Sequence, residues 1–136
     1  MAAPEGQKQE ISINSSSDIV LVRKTVRIWA VALGFSLIDQ TKIITASSEL
    51  ARNTLTYGGG GTLTLEVIEV GYRQGLRLIF SDQGAGISDI ELALKDGYTT
   101  GGGLGMGLGG TKRLMSEFEI SSRVGEGTQV KIIKWK

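Results

Sequence analysis

The chain has 136 residues, a formal net charge of +1, and hydrophobic and charged fractions of 40% and 21%. These values suggest one soluble globular domain and give no electrostatic case for nucleic acid or a membrane surface as partner. It contains neither Cys nor His, which excludes disulfides, zinc–thiolate sites, thiol nucleophiles and a phospho-acceptor histidine. Acid–base chemistry is left to carboxylates, Lys or Tyr.

Residues 1–9 are polar, hold the single Pro and are expected to fray, leaving 10–136 as one domain. No apolar run approaches the ~20 residues of a membrane span. The first ten residues lack a hydrophobic signal core, so the expected location is cytoplasmic. Glu10 to Asn14 alternates as a short strand. Ser15-Ser-Ser-Asp18 supplies helix caps, and Ile19, Val22, Val26, Trp29, Ala30 and Leu33 follow at 3,4 spacing up to the stop at Gly34. Ser36 can cap a second helix running through about Thr56, with Leu37, Thr41, Ile44, Ser48, Ala51 and Leu55 on one side; the Tyr57–Gly61 glycine run ends it. Thr62–Val70 and Leu76–Phe80 read as strands joined by a hairpin loop over Gly71–Gly75. A short helix from about Ser88 to Lys95 leads into a glycine-rich loop, and Leu108–Glu117 reads as a helix with Leu114 and Met115 turned inward. Phe118–Ser122 and Gln129–Trp135 form a second hairpin across Gly125-Glu126-Gly127. This order predicts an α/β two-layer sandwich: one mixed, mostly antiparallel sheet with helices on a single face.

Three segments carry chemistry. Glu49 and Asn53 stand at i,i+4 on one helix face, a stripe that Thr45 and Thr56 extend. A carboxylate can take a proton from a hydroxyl, and an amide oxygen is a hard ligand suited to Mg²⁺. The plainer reading is a solvated face with a Glu49–Arg52 ion pair. Asp82-Gln-Gly84-Ala-Gly86 places a carboxylate at a strand end, on a turn whose glycines let the backbone approach a ligand. That carboxylate can accept from the exocyclic amine of adenine and would repel the carbonyl of guanine; a tight turn is the local alternative. The third segment is Gly101–Gly110, where seven of ten positions are Gly, just before a helix whose free N–H groups can hold phosphate. Gly105-Met-Gly107-Leu-Gly109-Gly110 also satisfies G-x-G-x-x-G. The dinucleotide fold needs a strand immediately before that motif, and a loop stands there instead. Lys112 could reach a phosphate or be solvated. Thr128 could bond a base or a water, or simply suit a strand.

Glu49-x-x-x-Asn53, Asp82-x-Gly84-x-Gly86 and Gly105-x-Gly107-Leu108 resemble the N, G1 and G2 boxes of the GHKL (Bergerat-fold) ATPase/kinase superfamily, in its order, with Thr128 at its last-strand Thr. Within it the chain resembles the small anti-sigma-factor-type serine/threonine kinases, above all the RsbT-like switch kinases of the bacterial stressosome. The strings Ser48-Glu-Leu-Ala-Arg-Asn53, Asp96-Gly-Tyr-Thr-Thr-Gly-Gly-Gly103, Thr111-Lys-Arg-Leu-Met115 and Ile132-Ile-Lys-Trp135 carry that likeness. The resemblance implies ATP and Mg²⁺ as cofactors. It makes Glu49 the catalytic base and Asn53 the metal ligand. Asp82 reads adenine, with Gly84 and Gly86 along base and ribose. Gly103, Gly105, Gly107 and Leu108 form a lid over the triphosphate, and Arg52 steadies phosphate or Glu49. The implied partners are STAS-domain proteins of the stressosome scaffold and a downstream effector such as a PP2C-type phosphatase. An anti-sigma factor that sequesters a sigma subunit is the alternative, and a binding module with a decayed site is a third.

Overall fold

The computed structural model describes residues 8–87, 94 and 107–136. Strand β1 (Lys8–Ile13) is followed by helices α1 (Ser16–Ala32) and α2 (Leu37–Thr56). Strands β2 (Gly61–Val70) and β3 (Arg73–Asp82) come next, then helix α3 (Gly107–Leu114) and strands β4 (Glu117–Arg123) and β5 (Gly127–Trp135). The expected helix over 88–95 lies outside the described residues, apart from Leu94.

The sheet order is β1-β2-β3-β5-β4, and all four pairings are antiparallel. The expected mixed character is therefore absent among the described strands. Two helices separate β1 from β2, which returns the chain antiparallel to its start. Alternation along the strands sends Leu63, Leu65, Leu76, Leu78, Phe80, Val130 and Ile132 to one face, where they meet Val22, Val26, Trp29, Ile43, Ala46 and Leu50 of α1 and α2. Each such side chain contributes roughly 1.5–3 kcal/mol of burial. This face carries the core, and the helices cover it.

Local chemistry sets the element ends. The Asp18 carboxylate accepts the N–H groups of Asn14 (2.8 Å) and Ser15 (3.1 Å), fixing the entry to α1. Ser36 Oγ accepts the Asp39 N–H at the start of α2. The β2–β3 loop is tighter than expected. Val70 pairs with Arg73, leaving Gly71 and Tyr72 as a two-residue turn with Gly71 at φ +62. Helix α3 ends three residues earlier than the sequence suggests. Lys134 Nζ donates to the Leu114 carbonyl, and the Ser116 N–H donates to the Ile133 carbonyl, which starts the next ladder.

The face of α2 is the main correction. Leu37 is 74% exposed and Thr41 is exposed, whereas Ile43, Ala46, Ser47, Leu50, Ala51 and Thr54 are buried. The helix is turned so that the 43–47–50–54 stripe meets the sheet. Ser47 and Thr54 tolerate this because their hydroxyls bond back to the carbonyls of Ile43 and Leu50. The same rotation draws Glu49 inward.

Candidate active site

One cross-strand row defines the site. Register places Ile13, Gly61, Asp82, Thr128 and Ser122 side by side across all five strands. By alternation this row lies on the helix-covered face, continuing the apolar stripe Leu76-Leu78-Phe80 into Asp82 and the stripe Ile132-Val130 into Thr128. Three consecutive polar side chains thus occupy positions where a plain core would continue.

The C-terminal end of α2 closes over this row. A Cβ on Gly61 would come within 2.8 Å of Thr54 Cγ2, so the missing side chain lets the helix approach the sheet. A Cβ on Gly58 would strike Asp82 Cγ at 2.4 Å, and one on Gly84 would strike Gly58 Cα at 2.6 Å. The strand end, the turn after it and the end of α2 are therefore in backbone contact around the Asp82 carboxylate. Asp82 Oδ1 accepts the Gly84 N–H at 2.9 Å, and Oδ2 has no hydrogen-bond partner among the described residues. The half-buried carboxylate therefore keeps one oxygen for an outside donor.

Glu49 and Asn53 stand on the last turns of α2, with Cβ atoms about 5–6 Å apart by helical geometry. Glu49 is 8% exposed, and its Oε2 accepts from Arg52 Nη1 at 2.7 Å. The ion pair of the plainer sequence reading is thus real, yet it holds a carboxylate that is nearly buried rather than a solvated one. Arg52 itself is mostly exposed. Asn53 is half-buried; its carbonyl accepts from the N–H groups of Tyr57 and Gly58, and its side-chain amide is uncommitted among the described residues. No cluster of three or more acidic side chains stands ready for a metal among those residues. One amide oxygen, completed by phosphate oxygens and water, is a donor set that Mg²⁺ accepts.

A second hydroxyl, not anticipated from sequence, ties the row together. Ser122 Oγ lies 2.8 Å from the Ile87 N–H, 2.9 Å from the Gly127 carbonyl and 2.7 Å from Thr128 Oγ1. The signal for it was the strand pattern Phe118-x-Ile120-x-Ser122, where a polar residue falls on the inward parity.

On the phosphate side, Gly103 and Gly105 lie outside the described residues. Gly107 opens α3 at φ +72, and Leu108 is buried in the core. Thr111 is wholly buried and donates to the Gly107 carbonyl. Lys112 is exposed and falls in the last turn of α3 rather than early in it, where its charge complements the C-terminal carbonyls. A separate depression lined by Arg77, Ile79, Glu119, Ser121, Gln129 and Lys131 lies on the opposite, open face of the sheet and shares no residue with this row. The Lys131–Glu119 pair at 3.1 Å belongs to that face. No helix among the described residues is long and apolar enough to cross a membrane.

The family described as histidine kinase-, DNA gyrase B-, and HSP90-like ATPase matches residues 38–136. The chain is 47% identical to the serine/threonine-protein kinase RsbT of Bacillus subtilis over 125 residues, 92% of this chain and 94% of that protein. It is 34% identical to an anti-sigma F factor of Anoxybacillus flavithermus over 119 residues, 82% of this chain and 80% of that protein. Among solved structures, one of the RsbU and RsbW domains of a Mycobacterium tuberculosis protein shares the fold at TM-score 0.67 and 19% identity. That match spans 96% of this chain and 33% of the other. The match over residues 38–136 takes in α2, the row around Asp82 and the start of α3, and the chain belongs to the histidine kinase-, DNA gyrase B- and HSP90-like ATPase family.

Proposed function

We propose that this protein is an ATP-dependent serine/threonine kinase that phosphorylates STAS-domain proteins of a stressosome-like scaffold and acts as a binding switch on a downstream effector. The observation that carries the reading is the convergence at one end of the sheet. A carboxylate with a free oxygen on the inward row meets the end of the helix that bears a nearly buried Glu and an uncommitted Asn. The 47% identity to a protein named as a serine/threonine kinase supports the phosphotransfer class.

Within this reading Asp82 accepts from the adenine amine, with Gly84 and Gly86 along base and ribose and Thr128 beside them. Asn53 would hold Mg²⁺, which would supply charge neutralisation at the phosphates. Glu49 takes the proton from the acceptor serine hydroxyl as its oxygen bonds to the γ-phosphorus and the bond to the ADP oxygen breaks. Arg52 fixes one Glu49 oxygen and leaves the other to face the hydroxyl. Gly103, Gly105, Gly107 and Leu108 form the phosphate-side lid, with Leu108 anchoring it to the core. Most of the acceleration comes from positioning. The test is incubation with Mg-ATP and candidate STAS proteins, followed by mass spectrometry. Phosphoserine or phosphothreonine on a STAS protein is the expected result, and ATP binding without transfer to any of them would refute the kinase reading.

The likeness to an anti-sigma F factor favours a second reading, in which the same site phosphorylates an anti-anti-sigma STAS protein and the chain holds a sigma subunit. Pull-down against sigma factor and STAS protein in parallel separates the two.

A further inference from the structure

Ser122 lies outside the residues assigned above, yet it touches two parts of the base-reading end. Its single hydroxyl proton faces two acceptors, the Gly127 carbonyl at 2.9 Å and Thr128 Oγ1 at 2.7 Å, while its lone pairs face the Ile87 N–H at 2.8 Å. A carbonyl can only accept, so the bond to Gly127 takes the Ser122 proton. The short contact to Thr128 is then a hydrogen bond only if Thr128 donates. One assignment satisfies all three contacts: Thr128 gives its proton to Ser122, and Ser122 gives its own to Gly127. Thr128 Oγ1 is left with lone pairs alone, on the same row as Asp82 and directly opposite it across the β3–β5 ladder.

We infer that Ser122 is a specificity-determining positioning residue: by taking the Thr128 proton, it makes the base end of the site a pair of acceptors, Asp82 and Thr128. With both acceptors facing the 6-position, such an end receives the two N–H donors of a 6-amino group and opposes the carbonyl oxygen of a 6-oxo purine. Without Ser122 the Thr128 hydroxyl is free to turn and donate, and a 6-oxo group gains a partner. Ser122 also holds the Ile87 N–H, so the turn that carries Gly84 and Gly86 is fastened to β4 by the same atom. The inference rests on the adenine-reading assignment above and deepens it.

The experiment compares binding of ATP and inosine triphosphate by calorimetry in Mg²⁺ buffer. The proteins are wild type, Ser122→Ala and Ser122→Thr, each checked by circular dichroism. Inosine differs from adenine only at the 6-position and N1, so the affinity ratio reports that edge alone. Ser122→Ala is expected to cut the preference for ATP by about fivefold or more, since a misdirected polar partner costs 1–3 kcal/mol. Ser122→Thr, which keeps the hydroxyl, is expected to retain the preference. A purely structural role would weaken both nucleotides equally and leave the ratio unchanged, and that result overturns the inference. If the alanine variant does not fold, Ser122→Val removes the hydroxyl with a residue suited to a strand, and the same ratio decides. Wild type that binds neither nucleotide refutes the adenine assignment itself, a different outcome from an unchanged ratio in the variant.

Discussion

Asp82→Asn changes one atom at the centre of the site and keeps its shape, so its effect can be worked from two contacts. In the wild type Oδ1 accepts the Gly84 N–H at 2.9 Å, and Oδ2 remains for the ligand. Asparagine has one acceptor and one donor. If its oxygen stays on Gly84, its NH₂ replaces Oδ2 and opposes the adenine amine, donor against donor. If it flips, the NH₂ opposes the Gly84 N–H and the turn loses its tie to the strand end. Either arrangement forfeits a hydrogen bond to a charged group, about 1.5–3 kcal/mol. That converts to roughly 10- to 150-fold weaker ATP binding. The assay is calorimetric titration with ATP in Mg²⁺ buffer, with a thermal melt of the free variant alongside. The backbone contact between Gly84 and Gly58 is unaffected by an isosteric change, so the melt should move little. An affinity within about threefold of wild type, with the melt unchanged, would refute the placement of the base at Asp82.

Glu49→Gln is expected to keep ATP affinity and abolish phosphoryl transfer to a STAS acceptor, because the amide still fills the nearly buried position beside Arg52 but cannot take a proton; transfer at the wild-type rate removes Glu49 as base. Gly86→Ala is expected to lower the melting temperature by several degrees and weaken ATP binding. Its backbone is held at φ +79, and an added Cβ would lie 2.0 Å from the Arg123 carbonyl oxygen; such strain costs about 1–3 kcal/mol, so an unshifted melt contradicts the turn geometry. Asp18 is held below its usual pKa of 3.8, first by the Asn14 N–H; desolvation, second in size, opposes it, and the Ser15 hydroxyl and N–H add to the lowering. A lowered folded pKa means stability that is present above the unfolded value and is lost as pH falls through the folded one. The melting-temperature difference between wild type and Asp18→Asn should thus hold from pH 7 down to about pH 4 and shrink below it. A difference independent of pH would show that the carboxylate charge is not what secures the start of α1.

The sequence was most legible where one physical signal dominated. Apolar spacing placed the buried face of α1 at Val22, Val26, Trp29 and Ala30, and side-chain caps marked its start and that of α2. Glycine marked the end of α2 and both hairpins. The face of α2 was misread because its buried stripe contains Ser47 and Thr54, which look polar in sequence but satisfy their hydroxyls on the helix's own carbonyls. Leu37 and Ile38 look like core and are exposed at 74% and 69%. Of the candidate site, Glu49, Asn53 and Asp82 were singled out by spacing and motif order. Ser122 was not, because its importance comes from sheet register, which brings together residues 82, 122 and 128 from three strands. Helix α3 was read three residues too far because its end depends on a cap from Lys134, distant in sequence.

The location of the site follows from where the sheet breaks its own pattern. A strand buried on one face is expected to carry apolar residues at its inward positions, and β3, β4 and β5 do so as they approach this end of the sheet, through Leu78 and Phe80, Phe118 and Ile120, and Ile132 and Val130. There Asp82, Ser122 and Thr128 replace what would be a further layer of core. Departures of this kind are expected at functional positions, since they give up burial without a structural return. Their hydrogen bonds show how that loss is contained. Asp82 holds Gly84, Ser122 holds Ile87, and Thr128 is tied to Ser122. The turn is thereby fastened at both ends to strands whose apolar inward residues belong to the core or pack against it. A base-reading site needs its acceptors held in place before the ligand arrives, and strand ends joined by such bonds provide that rigidity. Glu49, the proposed proton acceptor, gains the same property by a different route, from the buried side of a long helix with Arg52 fixing one oxygen. The base end and the γ-phosphate end of a bound nucleotide would thus both meet preset groups.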